Sequence, residues 1–215
     1  GSYAYIDNLL EARRALVEQA GSSLATVAKD VKLQVEFNPY HVDFYRLVGY
    51  ENRLLAAEDF NDDQKDAGEM GAGHVVTALY EIVPKGGKRG ASVDELRYQK
   101  PRNQLGGGKD AELLTVKVRY KQPDQDESRL MVQALLDQDR TIEQVSQEFR
   151  FAAAVAQFGL LLRDSKFKQD ASYQSVVSLA ESARGADADG RRTEFVYLAK
   201  TAASLSNEEA LSARR

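Results

Sequence analysis

The sequence predicts an α+β fold: an antiparallel β-sandwich of six to seven strands, flanked by an N-terminal helix and a C-terminal three-helix segment. Three observations predict it. Between Val31 and Leu136, short runs alternate apolar and polar residues at period two, and turn residues close them. From Thr141 onward the apolar spacing changes to that of helices. Of the 215 residues 43% are hydrophobic and 29% charged, a globular mixture that excludes wholesale disorder.

The elements follow in order. Tyr3 to Ile6 is strand-like, and Asp7 is a plausible cap for a helix from about Asn8 to Val31. Leu9, Ala12, Leu16, Gln19, Ala20, Leu24, Val27 and Ala28 fall mostly on one stripe of that helix. The period-two runs are Val31 to Phe37, Val42 to Val48, Val75 to Val83, Leu114 to Tyr120 and Leu130 to Ala134, with short strands around Leu54 and around Leu96 to Tyr98. One apolar and one polar face per strand is the antiparallel pattern. Thr141 with Gln144 fits a capping box, in which each side chain satisfies a backbone donor of the other at a helix start. The helix that follows is apolar on all sides from Phe151 to Leu162, so it requires cover all round. Two further helices can supply it: Val176, Leu179, Ala180 and Ala183 line one, ending at Gly185, and Phe195, Leu198, Ala199, Ala202 and Leu205 line the next. The expected division is residues 1–28 as a terminal strand and helix, 29–138 as the sandwich, 139–207 as a helical region packing with the N-terminal helix, and 208–215 as a polar flexible tail.

Composition narrows the chemistry. The chain has no cysteine, which excludes disulfides, thiol nucleophiles and Cys-based zinc sites. It has two histidines, His41 and His74, too few for a His-rich metal centre. The net charge of −4 lacks the basic footprint of a nucleic-acid binder. The apolar run ending at Leu162 is shorter than the roughly 18 residues of a bilayer span.

Two loops of opposite charge stand out. Glu58, Asp59, Asp62, Asp63, Asp66 and Glu69 make the most acidic stretch, against Lys65 alone. Asp59, Asn61 and Asp63 match the opening of an EF-hand loop, whose alternate side chains aim oxygens at one calcium ion. The match then fails: Gln64 stands where the sharp turn needs glycine, and Met70 where a bidentate Glu is needed. Asp59, Asn61 and Asp63 are the metal-ligand candidates, and a solvated loop is the favoured reading. The stretch Lys85 to Lys109 is basic and glycine-rich, with Lys88, Arg89, Lys100 and Arg102. It has no P-loop, because Asp110 follows Lys109 and Arg89 follows Lys88 where Ser or Thr is required. Glu58, Asp62, Asp66, Glu69, Lys88, Arg89, Lys100 and Arg102 are therefore candidate interaction residues. No diagnostic catalytic spacing accompanies His41 or His74, so no catalytic residue is assigned, and a hydrolase built on His74 with Glu69 or Asp66 is disfavoured.

Particular strings carry a family likeness. Tyr3 to Asp7, Glu11 to Ala15 and Val27 to Lys32 are similar to the end of a von Willebrand factor A (VWA) domain. With Gly49 to Leu55, Glu58 to Asp63, Asp66 to His74, Thr77 to Glu81, Leu96 to Tyr98 and Phe151 to Ala156, the chain resembles the C-terminal region of bacterial YfbK-type VWA proteins. The resemblance implies a VWA domain upstream in the same polypeptide, and an envelope location, periplasmic or extracellular, with a lipid anchor in a segment before this region. It also implies that residues 1–28 are the closing strand and helix of that VWA domain. The metal motif of VWA domains, Asp-x-Ser-x-Ser, is missing from this sequence, so their metal site is expected outside it and no cofactor is expected within. The function expected is a non-catalytic accessory or protein-interaction module with an unidentified protein partner, without nucleic-acid binding or membrane insertion. The alternative is a glycan- or small-ligand-binding sandwich, calcium-assisted, using Tyr40, Tyr45, Tyr50 and Tyr98 in place of tryptophan.

Overall fold

A computed structural model describes residues 6, 9–13, 16, 25–49, 58–65, 67–86 and 111–212. A short helix α1 (Leu9–Arg13) precedes six strands: β1 (Thr26–Phe37), β2 (Val42–Val48), β3 (Gly68–Gly71), β4 (Leu79–Pro84), β5 (Glu112–Lys121) and β6 (Ser128–Leu136). Helices α2 (Gln147–Leu162), α3 (Tyr173–Ser182) and α4 (Arg191–Ser212) follow. The expected strands around Leu54 and around Leu96 to Tyr98 lie outside the described residues.

The strands form two antiparallel sheets, a four-stranded one ordered β3-β1-β5-β6 and a two-stranded β2-β4 ribbon. The mixed α+β class holds, and the six strands among the described residues group four plus two. The larger sheet keeps its alternation because its registers align the faces. Lys32 sits opposite Arg119, and Arg119 opposite Leu130. One residue along, Leu33 sits opposite Val118, and Val118 opposite Met131. The ribbon covers one end of this second, apolar face. Phe37, Val42 and Leu113 are buried there among Val35, Tyr80, Ile82 and Leu114. The Phe37 ring stacks on Tyr45 at 4.1 Å between centroids and meets Tyr80 edge-on at 5.3 Å. The chain changes sheets at Asn38–His41, where the Asn38 side chain donates to the Glu112 carbonyl at 2.6 Å and its Oδ1 accepts from the Tyr40 amide.

The sequence reading needs correction in several places. The N-terminal helix does not reach Val31: β1 begins at Thr26, so Val27 and Ala28 are strand residues, and the boundary set between residues 28 and 29 falls inside β1. Thr26, Val27 and Val31 are β-branched, and pairing with both β3 and β5 outweighs a local helical spacing. The strand expected from Val75 starts only at Leu79, and Val75 and Val76 are exposed in the segment before it, since alternation forms no strand without a partner ladder. β3 was not foreseen: glycine at both ends and four residues give no periodic signal.

In the helical part, Gln144 Oε1 does accept from the Thr141 amide at 3.0 Å, but this closes a single turn. The helix starts six residues later, at Gln147, where the Ser146 hydroxyl accepts from the Phe149 amide. A reciprocal capping box forms instead at Ser172 and Ser175. The three helices bury Ala154, Ala180 and Val196 against Phe151, Leu179 and Phe195. Small side chains let the backbones approach while Phe151, Phe158 and Phe195 interlock edge-on. Cover is one-sided, for Phe149, Val155 and Leu162 of α2 stay exposed. Gly185, at φ +64°, turns the chain after α3, and a side chain there would press on Gln147 Oε1. Helix α4 runs on to Ser212, through residues read as a tail.

The connection between α2 and α3 meets the ribbon. The Arg46 guanidinium on β2 lies 4.2 Å from the Phe167 ring centroid and pairs with Glu81 on β4, whose Oε1 accepts from Gln169 Nε2 at 2.6 Å.

Candidate functional site

The acidic stretch is the best-defined polar site, and three strands build it. Glu58–Phe60 is one 3-10 turn, and Phe60 is its anchor, 4% exposed beneath the Arg119 guanidinium. The residues after it lie on the polar face of β1, β5 and β6. Lys32, although 3% exposed, donates from Nζ to the Asp62 carbonyl. Lys121 Nζ donates to the Asp63 carbonyl at 2.9 Å. Arg119 donates to Asn61 Oδ1 at 3.2 Å and to Ser128 Oγ at 2.8 Å, and that hydroxyl donates to Asp63 Oδ2 at 3.0 Å. Each of three consecutive residues, Asn61 to Asp63, is thus held by a cation from the sheet. Burial of Lys32 is tolerable because its ammonium meets the Asp62 carbonyl oxygen, which it shares with the Lys65 amide.

Below this layer, Asp30 occupies the left-handed region at φ +50°, where the β1–β5 register shifts between Lys29 and Lys32. Aspartate tolerates that conformation better than a branched residue. The bulge aims its carboxylate at Lys121, 2.8 Å away, and at the Ala67 amide. The Lys121 hydrogen bond is the main reason that the Asp30 carboxyl lies below its usual range, with the Ala67 amide adding to it. Lys121 is raised in turn, first by Asp30 and further by the charges of Asp63 and Asp126.

The sequence-derived candidates separate here. Asp59 pairs with Lys65 at 3.2 Å, Asn61 accepts from Arg119 and Asp63 from Ser128, so each of the three EF-hand-like side chains has a partner within the protein. Among the described residues no group of three or more His, Asp and Glu side chains is placed to hold a metal ion. Asp62 is exposed, and its Oδ1 accepts from the Gln64 amide; Glu69 is exposed on β3, and Glu58 is placed through its backbone alone. Asp66, Lys88, Arg89, Lys100 and Arg102 lie outside the described residues, as do Tyr50 and Tyr98. Tyr45, half exposed, stacks on Phe37, and Tyr40 lies under Lys85, so these two do not form a shared aromatic platform. His41 sits in the crossing turn and exposed His74 in the segment after β3.

Sequence reading missed the residues that hold the site: Lys32, Arg119, Lys121 and Ser128. Period two puts the three cations on a polar face, but the register of three strands is needed to bring them under one loop.

The comparisons with known proteins now bear on this fold. The family described as "Uncharacterized protein YfbK, C-terminal" matches residues 22–205. The chain belongs to that family. Its match takes in both sheets, the acidic turn and most of the helical part, so the YfbK C-terminal region is the unit described above. Among curated proteins, the chain is 44% identical over 203 residues to "Uncharacterized protein YfbK" of Escherichia coli (strain K12). That alignment covers 94% of this chain and 34% of the relative, so the chain spans about a third of the relative's length. No solved structure matches the chain.

Proposed function

We propose that this YfbK C-terminal region is a non-catalytic accessory or protein-interaction module, placed after a VWA domain in a bacterial envelope protein. One observation carries the reading. The Asn61–Asp63 segment is pinned from below by Lys32, Arg119 and Lys121, which fixes its backbone while Asp62 and Asp63 remain exposed. A rigid acidic ridge gives a partner a preorganised surface and costs little ordering entropy on binding. The upstream domain or an envelope protein with a basic patch is the partner this ridge fits. The match to a third of a longer relative supports a module within a larger polypeptide. We further infer that the two sheets are halves of a β-sandwich, because the ribbon packs on the apolar face through Phe37.

Calcium plays no part in this reading. Isothermal calorimetry is expected to show no stoichiometric calcium heat; heat that disappears in Asp59→Ala/Asp63→Ala would replace it with a metal-dependent surface. The interaction itself is tested by photo-crosslinking from Asp62 and Gln64 in the full-length protein, with Tyr197 on α4 as a distant exposed control. The expected result is one defined crosslinked product from the ridge, lost in Asp62→Lys. Equal or absent crosslinking at ridge and control would sink the proposal.

A further inference from the structure

The outer edge of β6 is open. β6 ends the four-stranded sheet, and among the described residues no strand pairs with its far side. Alternate N–H and C=O groups of nine residues, Ser128–Leu136, point outward there. Sheet edges are ordinarily blunted by short length, charge, proline or a bulge, because a bare edge is a template for another strand. The opposite edge is blunted: β3 has four residues, glycine at both ends and Glu69 between. β6 is far less protected: the one register shift in its ladder with β5 lies at its very end, beside Leu135 and Leu136. Arg129 is its one charge, it holds no proline or glycine, and apolar side chains stand out on both faces, with Met131 59% and Val132 56% exposed.

We propose that β6 pairs antiparallel with β6 of a second copy of this chain, joining two four-stranded sheets into one across a two-fold axis at Val132. Val132 is the midpoint of the strand, so this register pairs every residue of β6. It sets Leu130 opposite the partner's Ala134 and Val132 opposite the partner's Val132, on the face shared with Arg119 and Lys117. It sets Arg129 opposite the partner's Leu135, so no two like charges meet. Pairing β6 on β3 would leave most of β6 unpaired and generate an open filament, whereas the two-fold closes on itself. A second copy offers a strip of the same length with Arg129 as its one charge, and the two-fold keeps the two Arg129 side chains apart, each opposite a leucine.

The chain has no cysteine, so Val132→Cys gives it a single thiol at the proposed axis. Light scattering of the unsubstituted chain is expected to give twice the mass of one chain, and Val132→Cys to oxidise to a covalent dimer. Val75→Cys, in the exposed segment before β4, is expected to stay uncrosslinked. Val132→Lys places like charges at the axis and is expected to halve the mass with an unchanged circular dichroism spectrum. Monomer throughout a dilution series, with Val132→Cys crosslinking no more than Val75→Cys, would overturn the proposal. So would a dimer that survives a folded Val132→Lys. If Val132→Lys fails to fold, the two cysteine variants decide.

Discussion

Asp30 shows how one backbone irregularity sets the chemistry of a neighbourhood. Its left-handed conformation lets a strand residue turn its carboxylate onto Lys121, in the layer that carries the acidic turn. Because its folded pKa lies below the ordinary value, this aspartate adds stability that is fully present above the unfolded pKa near 3.8. That contribution is lost as pH falls through the depressed folded value. Asp30→Asn keeps the side-chain shape and tolerates the backbone, but loses the charge. Urea titrations should find the variant less stable than the parent at neutral pH, with the gap closing in acid. A gap independent of pH would mean that Asp30 acts through its backbone alone.

At the scale of elements, caps and partners decide where helices and strands begin. The sequence reading starts α2 at Thr141. The structure uses Ser146, whose hydroxyl takes the Phe149 amide, while the Thr141 turn stands apart from the helix. Ser146→Ala should therefore cost about 1 kcal/mol, a typical loss for an N-cap, and Thr141→Ala much less. Thermal melts of the two variants provide the comparison, and equal losses would mean that the helix effectively starts earlier. The start of α4 is fixed from a distance. Asp187 accepts from the Arg192 and Thr193 amides and from the Thr193 hydroxyl, and the hydroxyl contact leads in holding its carboxyl low. Asp187→Ala should unravel the first turn of α4, seen as faster amide exchange at Arg192 and Thr193; unchanged exchange would show water replacing the carboxylate.

At the scale of the whole molecule, the helices and sheets share a narrow join. Arg46 binds Phe167 by its face and Glu81 by its charge, and Gln169 ties the same carboxylate from the helical side. A double-mutant cycle on Arg46→Ala and Phe167→Ala should give a coupling energy of about 1 kcal/mol, the usual scale for a partly desolvated cation over a ring. A coupling near zero would make the two parts energetically independent.

What the sequence determined by itself was local. Period two marked β2, β5, β6 and the second half of β1, and helical spacing marked the apolar faces of α2, α3 and α4, since those patterns are fixed by how consecutive side chains point. The acidic turn was also legible as a cluster of charge, and its failed EF-hand spacing warned against calcium. Tertiary structure decided what depends on neighbours far along the chain. Thr26 to Val31 became strand because β3 offered a ladder from Thr26 and β5 another from Lys29. Val75 and Val76 did not, because no strand lies beside them among the described residues. The cations beneath the acidic turn come from residues 32, 119 and 121, so only strand register could assemble them. The edge of β6 belongs to the same class: its pattern reads as an ordinary strand, and its place at the end of the sheet leaves it without a partner strand among the described residues.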